Sequence, residues 1–177
     1  MGEASPMDLL VSYSWHHFHQ ASREAIHILQ RFGDPHPQVD KTAVWGIAVA
    51  HTCLDNRAVT AHCRELHAAE PEAFQWTVKW LPVDYWCETD LDAMKKLIDY
   101  QIKIRLATEA TWAMQVQKRR WQKYHSIEIV EYLAAAIDNK VDLDNPDYII
   151  WVDVIGRDTA ISLLRPDDIF SLNLPHL

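Results

Sequence analysis

Trp112 to His125 reads WAMQVQKRRWQKYH. Its first half alternates apolar and polar residues, so Trp112, Met114 and Val116 share one face, the period-two pattern of a strand with one side in a core. Its second half gathers Lys118, Arg119, Arg120 and Lys123, with Trp121, Tyr124 and His125 interleaved. Guanidinium groups take phosphate oxygens bidentately and aromatic faces stack unpaired bases, so a strand ending in this mixture suits single-stranded RNA. A helix expected from Ser126 would bring free backbone N–H groups and a positive dipole end to the same place. The composition fits equally a solvated turn whose lysines keep the protein in solution, and both readings stand at this point. Lys118 and Arg119 would point to opposite faces of a continuing strand, so both reach one ligand only if the strand breaks there.

Around this island the chain is acidic. Of its formal charge of -8, residues 1–94 contribute 6 Lys and Arg against 13 Asp and Glu, residues 95–125 contribute 8 against 2, and residues 126–177 contribute 3 against 10. Screening over about 8 Å at physiological salt lets the basic middle act locally despite both flanks. The 177 residues, 49% of them hydrophobic, suffice for one large domain or two small ones and exclude a disordered tail. Cys53, Cys63 and Cys87 form no CxxC pair and fit buried thiols in a reducing compartment. MGEASPMDLL has no basic n-region, and Pro6 stands where a myristoylation signal needs Ser or Thr. The longest apolar run, Ala43 to Ala50, is far short of the roughly 20 residues of a membrane helix, so a soluble, cytoplasmic protein without membrane contact is expected.

Strands and helices alternate along the chain. Met7 to Tyr13 reads as a buried strand, followed by a helix with Phe18, Ala21, Ala25, Ile28, Leu29 and Phe32 on one face, stopped by Gly33 and Pro35. Thr42 to Ala50 reads as a second strand. Asp55 caps a helix to Ala69 with Val59, Cys63 and Leu66 inward, and Phe74 to Leu81 alternates as a third strand. The acidic stretch from Asp84 to Asp92 precedes the change of charge and places a domain junction near residue 88, giving domains 1–88 and 89–177. Beyond it come a helix over Leu91 to Leu106, the strand from Trp112, a helix over Ser126 to Ile137 with Ile127, Val130, Leu133, Ala134 and Ile137 inward, and Tyr148 to Ile155 (YIIWVDVI). The last is apolar on both faces and therefore central in its sheet. Gly156 to Asp158 turns it into a hairpin with Thr159 to Leu164. The pattern is α/β (α+β) in two small units.

Only four glycines occur, so no dinucleotide fingerprint, P-loop or nucleophile elbow can be drawn. His51, Cys53, Cys63 and His67 could surround a zinc ion, but their spacing matches no standard motif; a small core cysteine with surface histidines is the simpler reading, and no metal or cofactor is expected. Trp15, His16, His17, Phe18 and His19 cluster after the first strand without a neighbouring nucleophile, and read as solvated or capping histidines around aromatic anchors. Asp142, Asp144, Asp147, Asp153 and Asp158 could suggest magnesium, yet Asp142, Asp144, Asn145 and Pro146 make a good turn into a strand.

QKRRWQKYH, a helix, NKVDLDNPDYIIWVDVI and ISLL together resemble the THUMP domain, in particular the adaptor type that assists RNA cytidine acetyltransferases on tRNA. The matching positions are Lys118, Arg119, Arg120 and His125, then Asn139, Lys140, Val141, Asp142, Leu143, Asn145, Pro146 and Tyr148. The resemblance covers about residues 90–166, and the preceding α/β unit matches the accompanying ferredoxin-like domain by arrangement alone. It implies an N-terminal ferredoxin-like subdomain packed on a C-terminal THUMP subdomain, binding tRNA at the acceptor stem and 3′ end. The expected RNA contacts are Lys118, Arg119, Arg120, Trp121, Lys123, Tyr124, His125, Lys140, Arg157 and Arg165. Relatives often continue into a catalytic domain, whereas this sequence ends eleven residues beyond Pro166. The expectation is a non-enzyme that presents tRNA to a separate modification enzyme such as a cytidine acetyltransferase. The alternatives are a protein interaction scaffold without direct RNA contact and a small metal-dependent enzyme.

Overall fold

A computed structural model describes residues 6–173. In chain order its elements are β1 (Met7–Tyr13), α1 (Phe18–Arg31), β2 (Gln38–Lys41), β3 (Ile47–Thr52), α2 (Asn56–Ala69), β4 (Thr77–Val83), β5 (Tyr85–Glu88), α3 (Leu91–Leu97), β6 (Trp112–Arg119), α4 (Ser126–Ala134), β7 (Tyr148–Ile155), β8 (Asp158–Leu164) and β9 (Phe170–Ser171). They divide into two compact units, Met1–Val83 with Asp167–Leu177, and Asp84–Pro166. The division therefore falls five residues before the expected junction at 88, and the segment from Asp167 rejoins the first unit instead of ending the second. The acidic stretch that looked like a linker is structural. Tyr85–Glu88 pairs with β8, the Asp84 carboxylate accepts from Leu163 N–H at 2.9 Å, and Asp90 caps α3 through Ala93 N–H at 3.0 Å.

The first unit has the order β1α1β2β3α2β4 and a sheet β2-β3-β1-β4-β9, antiparallel at every pairing, which is the ferredoxin-like arrangement with one added edge strand. Leu9, Val11, Ala25, Ile28, Leu29, Val59, Cys63 and Trp80 form its core, so the faces expected for α1 and α2 are the buried ones. Asp55 caps α2 as expected, accepting from Ala58 N–H at 2.8 Å. Two strands differ. Thr42 to Ala50 is not one strand: Thr42 Oγ1 donates to Ile47 O at 2.8 Å, Gly46 turns at φ +85°, and the chain reverses between β2 and β3. The third strand begins at Thr77 rather than Phe74, because the Glu24 carboxylate takes the N–H groups of Gln75, Trp76 and Thr77 before sheet pairing starts.

The second unit has the sheet order β5-β8-β7-β6, with β6 and β7 parallel and the other pairs antiparallel. β7 is flanked on both sides, as its apolar faces require. Met94, Ile98, Ile102, Trp112, Ile129, Leu133, Ile150, Val152, Val154 and Ile161 make the core. The helix expected over Leu91 to Leu106 starts as α3, widens to a π-helical turn at Ile98–Ile102 and tightens to a 3-10 turn at Lys103–Arg105. That change of pitch keeps Met94, Ile98 and Ile102 all fully buried. On α4 the buried face is Ile129 and Leu133, while Ile127, expected inward, is 63% exposed. No described helix is long and apolar enough to cross a membrane.

Candidate nucleic-acid interface

β6 delivers the basic run to the end of the sheet where β7 turns into β8. Gly156 N–H donates to Arg119 O at 3.1 Å, so the β7–β8 hairpin carrying Arg157 abuts the end of β6. Arg120 follows with φ +58°, a left-handed backbone that ends the strand one residue after Arg119, so the break expected between Lys118 and Arg119 does not occur and the two stay on opposite faces. The run then separates by role. Lys118 Nζ donates to Tyr124 O at 2.5 Å and folds the loop back on its strand. Arg119 forms an ion pair with Asp153 of β7, whose side chain is 6% exposed. Trp121 and Tyr124 meet edge to face at 5.5 Å and pack against the core, so the stacking faces expected of them are largely occupied. Arg120, Lys123, His125 and Arg157 are exposed, with Lys123 Nζ 5.3 Å from the centre of the Tyr124 ring. Among the described residues, none of these four forms an ion pair with a carboxylate. α4 starts at the same end, but Glu128 accepts from His125 N–H at 2.7 Å and sets a carboxylate in the first turn, weakening the helix end as an anion site.

Lys140 and Arg165 lie at the opposite end. Lys140 O accepts from Trp112 N–H at 3.1 Å at the start of β6, and Arg165 follows β8 beside Tyr148, its guanidinium 5.6 Å from the ring centre. Eight residues of β6 separate the two ends, about 25 Å at strand rise. The ten sequence candidates are thus two groups, and only one surrounds the left-handed turn at Arg120. The lower end is held by turn chemistry. Asp142 Oδ1 accepts from Asp144 N–H at 3.1 Å and Asn145 N–H at 2.9 Å, and these bonds hold its carboxyl below the usual aspartate range. The turn reading of the trailing acids is the one the geometry takes. Asn139 Nδ2 donates to Ala107 O at 2.8 Å and Ala110 O at 3.0 Å, and Trp112 Nε1 to Asn139 O at 2.9 Å.

The four zinc candidates do not converge. His51 is held between Asp8 at 2.6 Å and Asp40 at 3.1 Å, His67 packs on Phe74 and Phe170, Cys53 is exposed, and Cys63 is buried in a core that pushes its thiol pKa up. Among the described residues, no group of three or more His, Cys, Asp or Glu is disposed to hold a metal ion.

Residues 88–164 match the model of the THUMP domain family. This stretch of the chain is similar to a THUMP domain. The match lies wholly inside the second unit, running from the end of β5 to the end of β8. No curated protein matches the chain by sequence. Among solved structures, it is similar to PH1313 from Pyrococcus horikoshii Ot3, with a TM-score of 0.59, 14% identity, and 90% of this chain aligned to 54% of that one. It is also similar to TrmN from Thermus thermophilus, with a TM-score of 0.60, 13% identity, and 91% of this chain aligned to 47% of that one. Both likenesses concern the fold, and the chain spans about half the length of these structures. Within the matched stretch, Arg120, Lys123, His125 and Arg157 form one exposed basic edge. The loop geometry that gives Lys118 and Arg119 internal partners left no mark in the sequence: a cation reads alike whether it faces solvent or a buried carboxylate.

Proposed function

We propose that the chain is a non-catalytic RNA-binding module that holds tRNA at the acceptor stem and 3′ end and presents it to a separate modification enzyme such as a cytidine acetyltransferase. The observation that carries this reading is the basic edge of the matched stretch, where Arg120, Lys123, His125 and Arg157 stand exposed at one end of the sheet on a chain of net charge -8. Cations in contact with phosphate release counterions, so affinity should fall with salt on a slope of about 0.7 to 0.9 per phosphate neutralised.

Removing Lys118, Arg119 and Arg120 together would confound binding with folding, since two of the three have internal partners. The sharper variant is R120A/K123A/R157A. Its tRNA affinity at low salt should fall about a hundredfold and its salt slope by about 2 to 3, with an unchanged melting temperature. K140A/R165A, at the far end of the sheet, should stay within about twofold of the parent. Parental tRNA affinity in the first variant would remove this site. The scaffold reading has one observation in its favour, an open groove on the second unit lined by Glu88, Asp90, Asp92 and Tyr100. A modification enzyme retained from nuclease-treated lysate by R120A/K123A/R157A would support it.

A further inference from the structure

The loops after β1 and between β2 and β3 hold a group of rings that the basic edge does not involve. Tyr13 N–H donates to Gly46 O at 2.9 Å and Ser14 N–H to Trp76 O at 3.0 Å, so the two loops and the approach to β4 meet at one end of the ferredoxin-like sheet. A Cβ on Gly46, at φ +85°, would sit 3.9 Å from Trp15 Cδ1, which measures how closely the loops approach. Trp15 is 66% exposed and Trp45 60% exposed. His16 lies between them, its ring 4.4 Å from Trp15 and 6.1 Å from Trp45 between centroids. His17 and the half-buried Trp76 follow at 4.7 Å and anchor the group from below.

Three features restrict what this surface can take. Two adjacent tryptophans with most of their surface in water forgo several kcal/mol of burial, since burying one large apolar side chain stabilises by about 1.5 to 3 kcal/mol. His16 holds φ +66°, a backbone conformation costly for a side-chain-bearing residue and found where a site over-determines it. The exposed large apolar side chains on these loops are indoles alone; the exposed Ile104, Ile127, Val141 and Leu143 all belong to the other unit. A protein interface core mixes aromatic with aliphatic residues, whereas a platform for bases needs flat π-faces and tolerates any base. Lys41 lies over the Phe18 ring at 4.9 Å and brings one cation to these loops, beside a Glu24 carboxylate that accepts three backbone N–H groups.

We infer that Trp15, His16 and Trp45 form a stacking platform for unpaired bases of single-stranded RNA, a second RNA contact on the ferredoxin-like unit. The inference rests on the RNA-binding reading above, but on different residues. The test is fluorescence anisotropy of the whole chain with a short labelled single-stranded RNA, a blunt duplex of the same sequence, and tRNA. W15A/W45A should weaken single-strand binding by about tenfold or more and leave duplex binding unchanged, while W15F/W45F retains most of it. Both side chains are largely solvated, so the melting temperature should hold. Equal single-strand affinity in W15A/W45A and the parent overturns the platform, as does an equal loss on single strand and duplex. Unchanged RNA binding with loss of self-association in W15A/W45A overturns it in favour of a protein contact. If R120A/K123A/R157A binds tRNA like the parent while W15A/W45A loses the single strand, the basic edge fails and the platform stands; the converse result leaves the edge and removes the platform. A parent that binds neither RNA removes both.

Discussion

The two ends of β6 carry cations of the same kind and use them differently. At its start, around Lys140 and Arg165, side chains are tied into turns: Asn139 bridges two carbonyls, Asp142 gathers two backbone N–H groups, and Asp147 accepts from Thr111 N–H at 2.9 Å. At its end, from Arg120 onward, four basic side chains stand in solvent, and among the described residues none of them is in an ion pair. Hydrogen bonds spent within the fold give stability, and charges left outside it give a ligand something to bind. A stretch of basic sequence does not say which of the two it does.

Arg119 is the residue that breaks this comparison most sharply, because it lies in the basic run and behaves like the other end. Its guanidinium pairs with Asp153, which is only 4% exposed. Arg119→Ala leaves that carboxylate buried without its cation and should cost about 3 kcal/mol, read as a shifted urea midpoint. The salt slope of tRNA binding should not change. Arg119→Met combined with Asp153→Leu should recover much of the stability, since an apolar pair of similar volume often serves as well as a buried ion pair. A lowered salt slope with unchanged stability in Arg119→Ala would move Arg119 to the binding edge.

Asn139→Ala should fall next, at about 2 kcal/mol, because Ala107 and Ala110 lose a donor to their carbonyls. Its tRNA affinity per folded molecule should match the parent. Together with R120A/K123A/R157A this gives opposite losses, stability at one end of β6 and binding at the other; a shared loss of both would show that the ends are not separable.

How much of this was legible in the sequence follows from what each element depends on. β1, β7 and α2 appeared with correct bounds or nearly so, because their burial is periodic and Asp55 and Gly156 punctuate them. The turn between β2 and β3 was hidden inside an apolar run, since Trp45 reads as core and is instead exposed at the turn. β5 and β9 owe their existence to partners distant in sequence, Thr159 opposite Cys87 and Lys79 opposite Ser171, and short edge strands carry no pattern of their own. The candidate site was legible as composition and not as geometry: Arg120 and Lys118 look alike until the left-handed turn at Arg120 separates them.

The smallest effect belongs to Asp142, and its sign can be fixed in advance. Hydrogen bonds from Asn145 and Asp144 N–H, with a lesser contribution from Lys140, hold its folded carboxyl below the ordinary aspartate value. A group depressed on folding contributes stability above its unfolded pKa of about 3.9 and loses it as the pH falls through the lower folded value. Asp142→Asn should therefore melt slightly below the parent at neutral pH, by less than Asn139→Ala. The difference between parent and Asp142→Asn should narrow only below about pH 3.9. A difference that instead grew as the pH fell would mean that the Asp142 carboxylate opposes the fold, and the turn at the start of β7 would need another account. Its tRNA affinity should equal the parent's throughout the neutral range, since Asp142 is spent on the turn's own N–H groups and lies outside the proposed site.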